Sequence, residues 1–263
     1  LSAEAFGIYG PAGSGKTRLA AACIRGWPEA WGGQALYVPI DPGSDSLGSI
    51  LLVDRVNMYK YKDYGGAKGM DPYRELCKII ENKEVEKAGC STLILDTMTT
   101  ASRQILQAVA NSGKFSDKHI ALETVGIGKI NLAMPGDYKG AQQCIMNFLD
   151  LAKFSGVNIL AVFHDGLFEP EATSSAPTVG GPATVGRSSL APIAGWFHNL
   201  VRLEARSKGT GEARTVEYWA ATEKKGPYLA KLRIPLPKNP IPDFRLDDDP
   251  VNFWHKLKEI HGG

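Results

Sequence analysis

Residues Gly10-Pro11-Ala12-Gly13-Ser14-Gly15-Lys16-Thr17 fit the spacing G-x-x-x-x-G-K-[ST] without a gap, and each fixed position answers a need of a polyphosphate ligand. Several backbone N–H donors must converge on the phosphates, and a loop curls that tightly only where glycine relaxes the φ/ψ limits. Lys16 brings a charge to the β- and γ-phosphates, and the Thr17 hydroxyl offers a coordination position to Mg²⁺. The strand-like run Phe6-Gly7-Ile8-Tyr9 enters the loop and the helix-like run Arg18 to Ile24 leaves it. Residues 10–18 therefore read as the binding site of a nucleoside triphosphate, taken as ATP. A second anchor is Asp96, which closes the apolar run Leu93-Ile94-Leu95. At the carboxyl end of a parallel strand, such a carboxylate reaches the ligand crevice and completes the Mg²⁺ shell begun by Thr17.

Hydrolysis further needs a carboxylate that polarises a water opposite the leaving diphosphate. Asp41, at the end of the strand candidate Gln34 to Ile40, qualifies if its strand neighbours that of Asp96. Asp45 competes from four residues further on, and both also suit a turn beside Pro42 and Gly43. His164 ends the apolar run Val157 to Phe163 and is positioned to sense the γ-phosphate; a polar strand cap would look the same. Lys224 and Lys225, before Gly226, read in two ways: cations reaching a neighbouring subunit's γ-phosphate, or a solvated hairpin tip. Two irregular stretches could meet a polymer. Residues 111–136 carry Lys114, Lys118, His119 and Lys129, and 165–190 carry Arg187. Phe115 and Phe168 are their aromatic candidates for stacking bases.

These residues need a scaffold, and the chain has room for one. Its 263 residues suit one large α/β domain, and 43% hydrophobic with 22% charged residues is ordinary for a soluble protein. No apolar run approaches the ~20 residues of a membrane span, and the first residues lack a signal-peptide pattern. The chain opens at Leu1, directly before the first strand, which leaves a natural N-terminal extension open. A net charge of +2 decides little between nucleic acid and protein as client. The four cysteines, Cys23, Cys77, Cys90 and Cys144, form no C-x-x-C pair and read as reduced, buried residues of a cytosolic protein.

Short strand candidates alternate with helical runs (Asp71 to Lys87, Thr99 to Ala110, Asp137 to Phe154). The Gly/Pro/Ser/Thr-rich stretch Asp165 to Pro192 then suits a mobile loop. Leu200 to Arg206, Arg214 to Thr222 and Leu229 to Ile234 read as three strands of an antiparallel meander. A proline-rich, then acidic tail closes with an amphipathic helix from about Val251 to His261. The expected architecture is α/β: a mostly parallel sheet flanked by helices, extended by the C-terminal meander. Residues 1–234 form its core and 235–263 its tail.

On Gly10 to Thr17, Asp41, Leu93 to Asp96, Asp137-Tyr138-Lys139-Gly140, His164, Trp196 to Leu203 and Thr222 to Lys225, the chain resembles the RecA-like branch of P-loop ATPases. More narrowly it is similar to small phage-encoded ATP-binding proteins, some of them single-strand annealing or recombination proteins. The resemblance implies that the His164 strand lies between the phosphate-loop strand and the Asp96 strand. It also implies that the two irregular stretches are DNA-binding loops, and that subunits assemble as a ring or filament with ATP between them. Single-stranded DNA and a single-strand binding or replication protein are the implied partners, in the cytoplasm of a bacterial or phage-infected cell. Asp41 stands where the branch usually has Glu, one methylene longer. An ATPase with a protein client (a loader or assembly factor) and a nucleotide-gated structural subunit remain as alternatives. A small-molecule kinase fits poorly, since 165–190 offers one lid arginine.

Overall fold

The computed structural model describes residues 3–41, 56–61, 71–116, 119–124, 128–170, 177–209, 215–232, 243–246 and 249–260. In chain order the elements are β1 (Ala5–Gly10), α1 (Lys16–Gly26), α2 (Pro28–Trp31), β2 (Ala35–Pro39), β3 (Val56–Met58), α3 (Asp71–Glu81), α4 (Glu84–Lys87), β4 (Thr92–Asp96) and α5 (Met98–Ser112). They continue with β5 (Ala121–Thr124), β6 (Gly128–Asn131), α6 (Pro135–Phe154), β7 (Asn158–Phe168), β8 (Val179–Pro182), α7 (Arg187–Trp196), β9 (Asn199–Lys208), β10 (Thr215–Ala221), β11 (Phe244–Leu246) and α8 (Val251–Ile260).

The main sheet runs β11-β10-β9-β1-β7-β4-β2-β3. From β3 to β9 the pairings are parallel, and β9-β10-β11 is antiparallel. The α/β architecture read from the sequence is thus the one observed. The His164 strand, β7, sits between the phosphate-loop strand β1 and the Asp96 strand β4, with Gly10 opposite His164.

The continuous apolar runs explain why these strands lie inside. Side chains alternate across a strand, so a strand buried on both faces has no polar position. Phe6 and Ile8 of β1, Leu160 and Val162 of β7, and Ile94 of β4 point to the layer of α1 and α8. Tyr9, Ile159, Ala161, Phe163, Leu93 and Leu95 point to the opposite layer of α3, α5, α6 and α7. Helix ends follow their local signals. Thr97 caps α5 by accepting from the Thr100 amide at 3.2 Å, and Asp137 caps α6 by accepting from the Met134 amide at 2.8 Å. The helical run expected to continue from Asp71 to Lys87 breaks into α3 and α4 at Lys83, whose φ is 55°.

Three expectations are corrected. The strand expected to stop at His164 continues to Phe168, and the expected loop 165–192 holds the hairpin partner β8 and the helix α7. Within 111–136, β5 and β6 form a separate two-stranded sheet. Over its described part, 229–232, the expected third meander strand is not formed: Lys231 makes an isolated bridge to Leu200, and β11 takes the edge beside β10. Ion pairs from Arg206 and Lys225 to Asp243, directly before β11, hold that edge, as does Phe244 packed on Phe253 of α8.

Helix α8 is anchored on α1. Trp254 is fully buried, its indole N–H donates to the Leu19 carbonyl at 2.7 Å, and a Cβ on Gly26 would lie 2.3 Å from Trp254 Cβ. Trp254→Ala is therefore expected to cost about 3–5 kcal/mol, read as a lowered midpoint in urea unfolding. A loss below about 1 kcal/mol would show that α8 adds little to the core.

Candidate functional site

The phosphate loop bridges β1 and α1. Gly13 and Gly15 have φ of 74° and 83°, and nothing lies within 4 Å of where a Cβ would project from either. Helix α1 starts after Gly15 with no side-chain cap. Its first amides are thus left for an anion, reinforced by the positive end of the helix dipole. Lys16 is buried (7% exposed) and donates to the Pro11 carbonyl at 2.6 Å, folded back onto its own loop. Burial lowers its pKa, against the opposing pull of the Asp96, Asp165 and Asp41 carboxylates. Arg18 is exposed and lines a cavity of about 490 Å³ beside the loop, with Tyr218 and Leu246 opposite.

Asp96 closes β4 at 5% exposure. One of its oxygens, Oδ2, accepts from Thr17 Oγ1 at 2.5 Å and from the Tyr37 hydroxyl at 2.6 Å. Burial raises the Asp96 pKa, although both hydrogen bonds and the Lys16 ammonium favour the ionised form. The same burial, with Asp96 alongside, holds the Tyr37 phenol strongly protonated and so a donor. Thr17 and Asp96, one hydroxyl and one carboxylate in contact, are a hard-oxygen pair of the kind that suits Mg²⁺ beside phosphates. Tyr37 was missed from the sequence, where it reads as one more aromatic residue of a buried strand.

Asp41 lies just past β2, which pairs with β4 as its role requires. Its amide donates to the Asp96 carbonyl at 3.1 Å, and its Oδ2 stands 3.5 Å from His164 Nε2. Both side chains are 35% exposed, so solvent reaches the pair. Asp45 falls outside the described residues. The His164 amide donates to Thr99 Oγ1 at 3.0 Å, and its carbonyl accepts from the Ala183 amide at 2.8 Å. Asp165, one residue on, stands 3.5 Å from Arg202 and bears electrostatically on Lys16. It too was missed, because nothing local separates it from a loop aspartate.

The remaining candidates are dispersed. Lys225 is ion-paired within its own chain, to Asp243 and, at 3.6 Å, to Glu204, while Lys224 is exposed in the same turn. Burial alone would raise the Asp243 carboxyl, but bonds from Lys225 and Arg206 outweigh it and hold its pKa down. Lys114 is exposed just after α5, and Arg187 opens α7 with its guanidinium donating to the Pro177 carbonyl at 2.9 Å. Lys118 and the side chain of Lys129 fall outside the described residues. The four cysteines are buried and free. Among the described residues, no helix is long and apolar enough to cross a membrane.

The raised Asp96 pKa sets a sign. A carboxyl whose folded pKa exceeds its unfolded value loses native stability as pH rises from the unfolded value through the folded one. Asp96→Asn keeps an oxygen for Thr17 and Tyr37 but carries no charge. Without nucleotide it is expected to melt at or above the wild-type temperature at pH 7, with the difference shrinking as pH falls towards 4. Stabilisation by Mg²⁺-nucleotide should be lost. A variant melting well below wild type at pH 7 would contradict this account.

Residues 3–234 match the profile of a family described as an AAA domain. No curated protein matches the chain significantly. Among solved structures, the chain is similar to a KaiC-like protein from the hyperthermophilic archaeon Pyrococcus horikoshii OT3. The identity is 11% and the TM-score 0.51, over 95% of this chain and 88% of that one. At that identity the likeness speaks for the fold alone. Family, fold and phosphate loop agree on a RecA-like P-loop ATPase core, and the chain belongs to the AAA domain family.

Proposed function

We propose that the protein binds and hydrolyses ATP with Mg²⁺ and acts as an oligomer on single-stranded DNA, in recombination, annealing or replication of the phage type. The observation that carries the reading is the convergence of Lys16, Thr17, Asp96, Asp41 and His164 at the carboxyl edge of four parallel strands, with β7 central. Backbone amides of the loop after Pro11 hold the phosphates, and Lys16 exchanges the Pro11 carbonyl for the β- and γ-phosphates. Thr17 and Asp96 would hold Mg²⁺, which would supply positive charge to the phosphates. Asp41 orients the attacking water and His164 hydrogen-bonds the group that leaves or stays at the γ position. Lys224 is the cation offered to a neighbouring subunit's site, since Lys225 is held by Asp243.

Single-stranded DNA as client draws support from the second loop. Ala183, within the stretch that carries Arg187, is bonded to His164 through its amide and to Thr99 Oγ1 through its carbonyl at 2.7 Å. Whatever this stretch holds is thus mechanically next to the site of hydrolysis.

Steady-state ATP hydrolysis is expected to rise on adding single-stranded DNA, with the stimulation weakening as salt is added, and to vanish in Lys16→Ala. No change in rate, together with no DNA binding in the presence of a non-hydrolysable ATP analogue, would sink the DNA reading in favour of a protein client. Asp41→Ala is expected to lower kcat by roughly 10²–10⁴-fold, with nucleotide affinity little changed. An unaltered kcat would instead indicate a nucleotide-gated structural subunit.

A further inference from the structure

Tyr138 and Phe115 are large aromatic side chains left exposed, at 37% and 45%; the hydrolytic roles proposed above use neither, and of the two the sequence offered only Phe115 as a stacking candidate. Tyr138 is on the first turn of α6, Phe115 follows α5 and packs against that turn, and each lies against a glycine. A Cβ on Gly140 would come within 2.8 Å of the Phe115 ring. One on Gly186, at the entrance of α7, would come within 3.3 Å of the Tyr138 ring. The backbone of the first loop crosses α6 as closely, since a Cβ on Gly136 would strike the Phe115 carbonyl at 2.1 Å. The two stretches singled out from the sequence therefore meet on this one helix end.

The helical repeat fixes how the side chains are arranged around it. Successive residues turn by about 100°. Asp137, Ala141 and Ile145 face the core. Gly136 and Gly140, with Phe115 laid on them, lie on one flank, and Tyr138 lies on the other. Exposed Lys139 falls between the two flanks, pointing away from the core. The outward arc thus reads aromatic, cation, aromatic. Exposed Lys114 and partly exposed Arg187 stand beside it, on the neighbours of Phe115 and Gly186. On the first turns of α6 the carboxylate is Asp137, which is fully buried and bonded to His119 at 3.0 Å. The exposed charge between the two partly exposed rings is thus a cation, an alternation that matches the bases and phosphates of a nucleic-acid strand.

We propose that Tyr138 and Phe115 are a stacking platform for the bases of a single-stranded nucleic acid, with Lys139 between them pairing its phosphate. The proposal rests on the single-strand reading above. It also places the strand at a definite distance along the chain from hydrolysis: His164 bonds Ala183, and three residues later Gly186 touches Tyr138.

The test is equilibrium binding of the full chain to oligo(dT), by fluorescence anisotropy over a salt series, with and without a non-hydrolysable ATP analogue. Tyr138→Ala and Phe115→Ala should each weaken binding roughly five- to a hundredfold, with no change in the slope of log K against log salt. Lys139→Ala should instead reduce that slope by about 0.7. Tyr138→Phe should bind as wild type and Tyr138→Leu as the alanine variant, which separates ring stacking from apolar bulk. Basal ATP hydrolysis in all of them should match wild type, which also reports an intact fold. If wild type binds and Tyr138→Ala or Tyr138→Leu binds equally well, the platform is overturned and the single-strand reading stands. If wild type binds no oligonucleotide with or without nucleotide, both fall.

Discussion

Asp96 carries a charge into a place that water barely reaches. A buried carboxylate is tolerable only if donors surround it, and the fold supplies them from two separate segments: Thr17 at the start of α1, with the Lys16 charge beside it, and Tyr37 in β2. The backbone repeats the same convergence. The Asp96 carbonyl accepts from the amides of Ile40, at 2.6 Å, and Asp41, at 3.1 Å. Satisfying one residue thus fixes the phosphate loop, the end of β2 and the end of β4 relative to one another. The remaining site residues inherit their positions from that arrangement.

Placing β7 between β1 and β4 gives this constraint its functional form. It brings His164 level with Gly10 and leaves it 3.5 Å from Asp41. It also makes β7 the strand that extends past the sheet edge, where β8 pairs with it and returns the chain towards α7. The edge that carries His164 and the first turn of α6 are therefore joined by short, hydrogen-bonded backbone. Such backbone transmits a shift of position without the slack of a long loop.

Much of the fold was legible because its signals are local. Runs such as Leu93 to Leu95 and Ile159 to Phe163 are apolar at every position, which only a strand covered on both faces allows. Asp71-Pro72 announces a helix start through its own side-chain chemistry. The failures share a cause. Gly180, Gly181 and Pro182 look like loop in isolation, and become a strand because β7 offers a partner more than ten residues upstream. Leu229 to Leu232 has strand character, but the edge it would occupy went to three residues held by Asp243 ion pairs and by Phe244 against α8.

The candidate site divides along the same line. Phosphate binding was determined by the sequence alone, because a loop of glycines, one lysine and one threonine needs only its own backbone to curl. The partnership of Thr17 with Asp96, 79 residues apart, followed from strand chemistry and a familiar spacing. The contact of Asp41 with His164, the Tyr37 hydroxyl aimed at Asp96, Asp165 set near Lys16 and the capture of Lys225 by Asp243 were decided only in three dimensions. Each depends on which strands become neighbours, and that is settled by the packing of two helical layers on one sheet rather than by any residue's local preference.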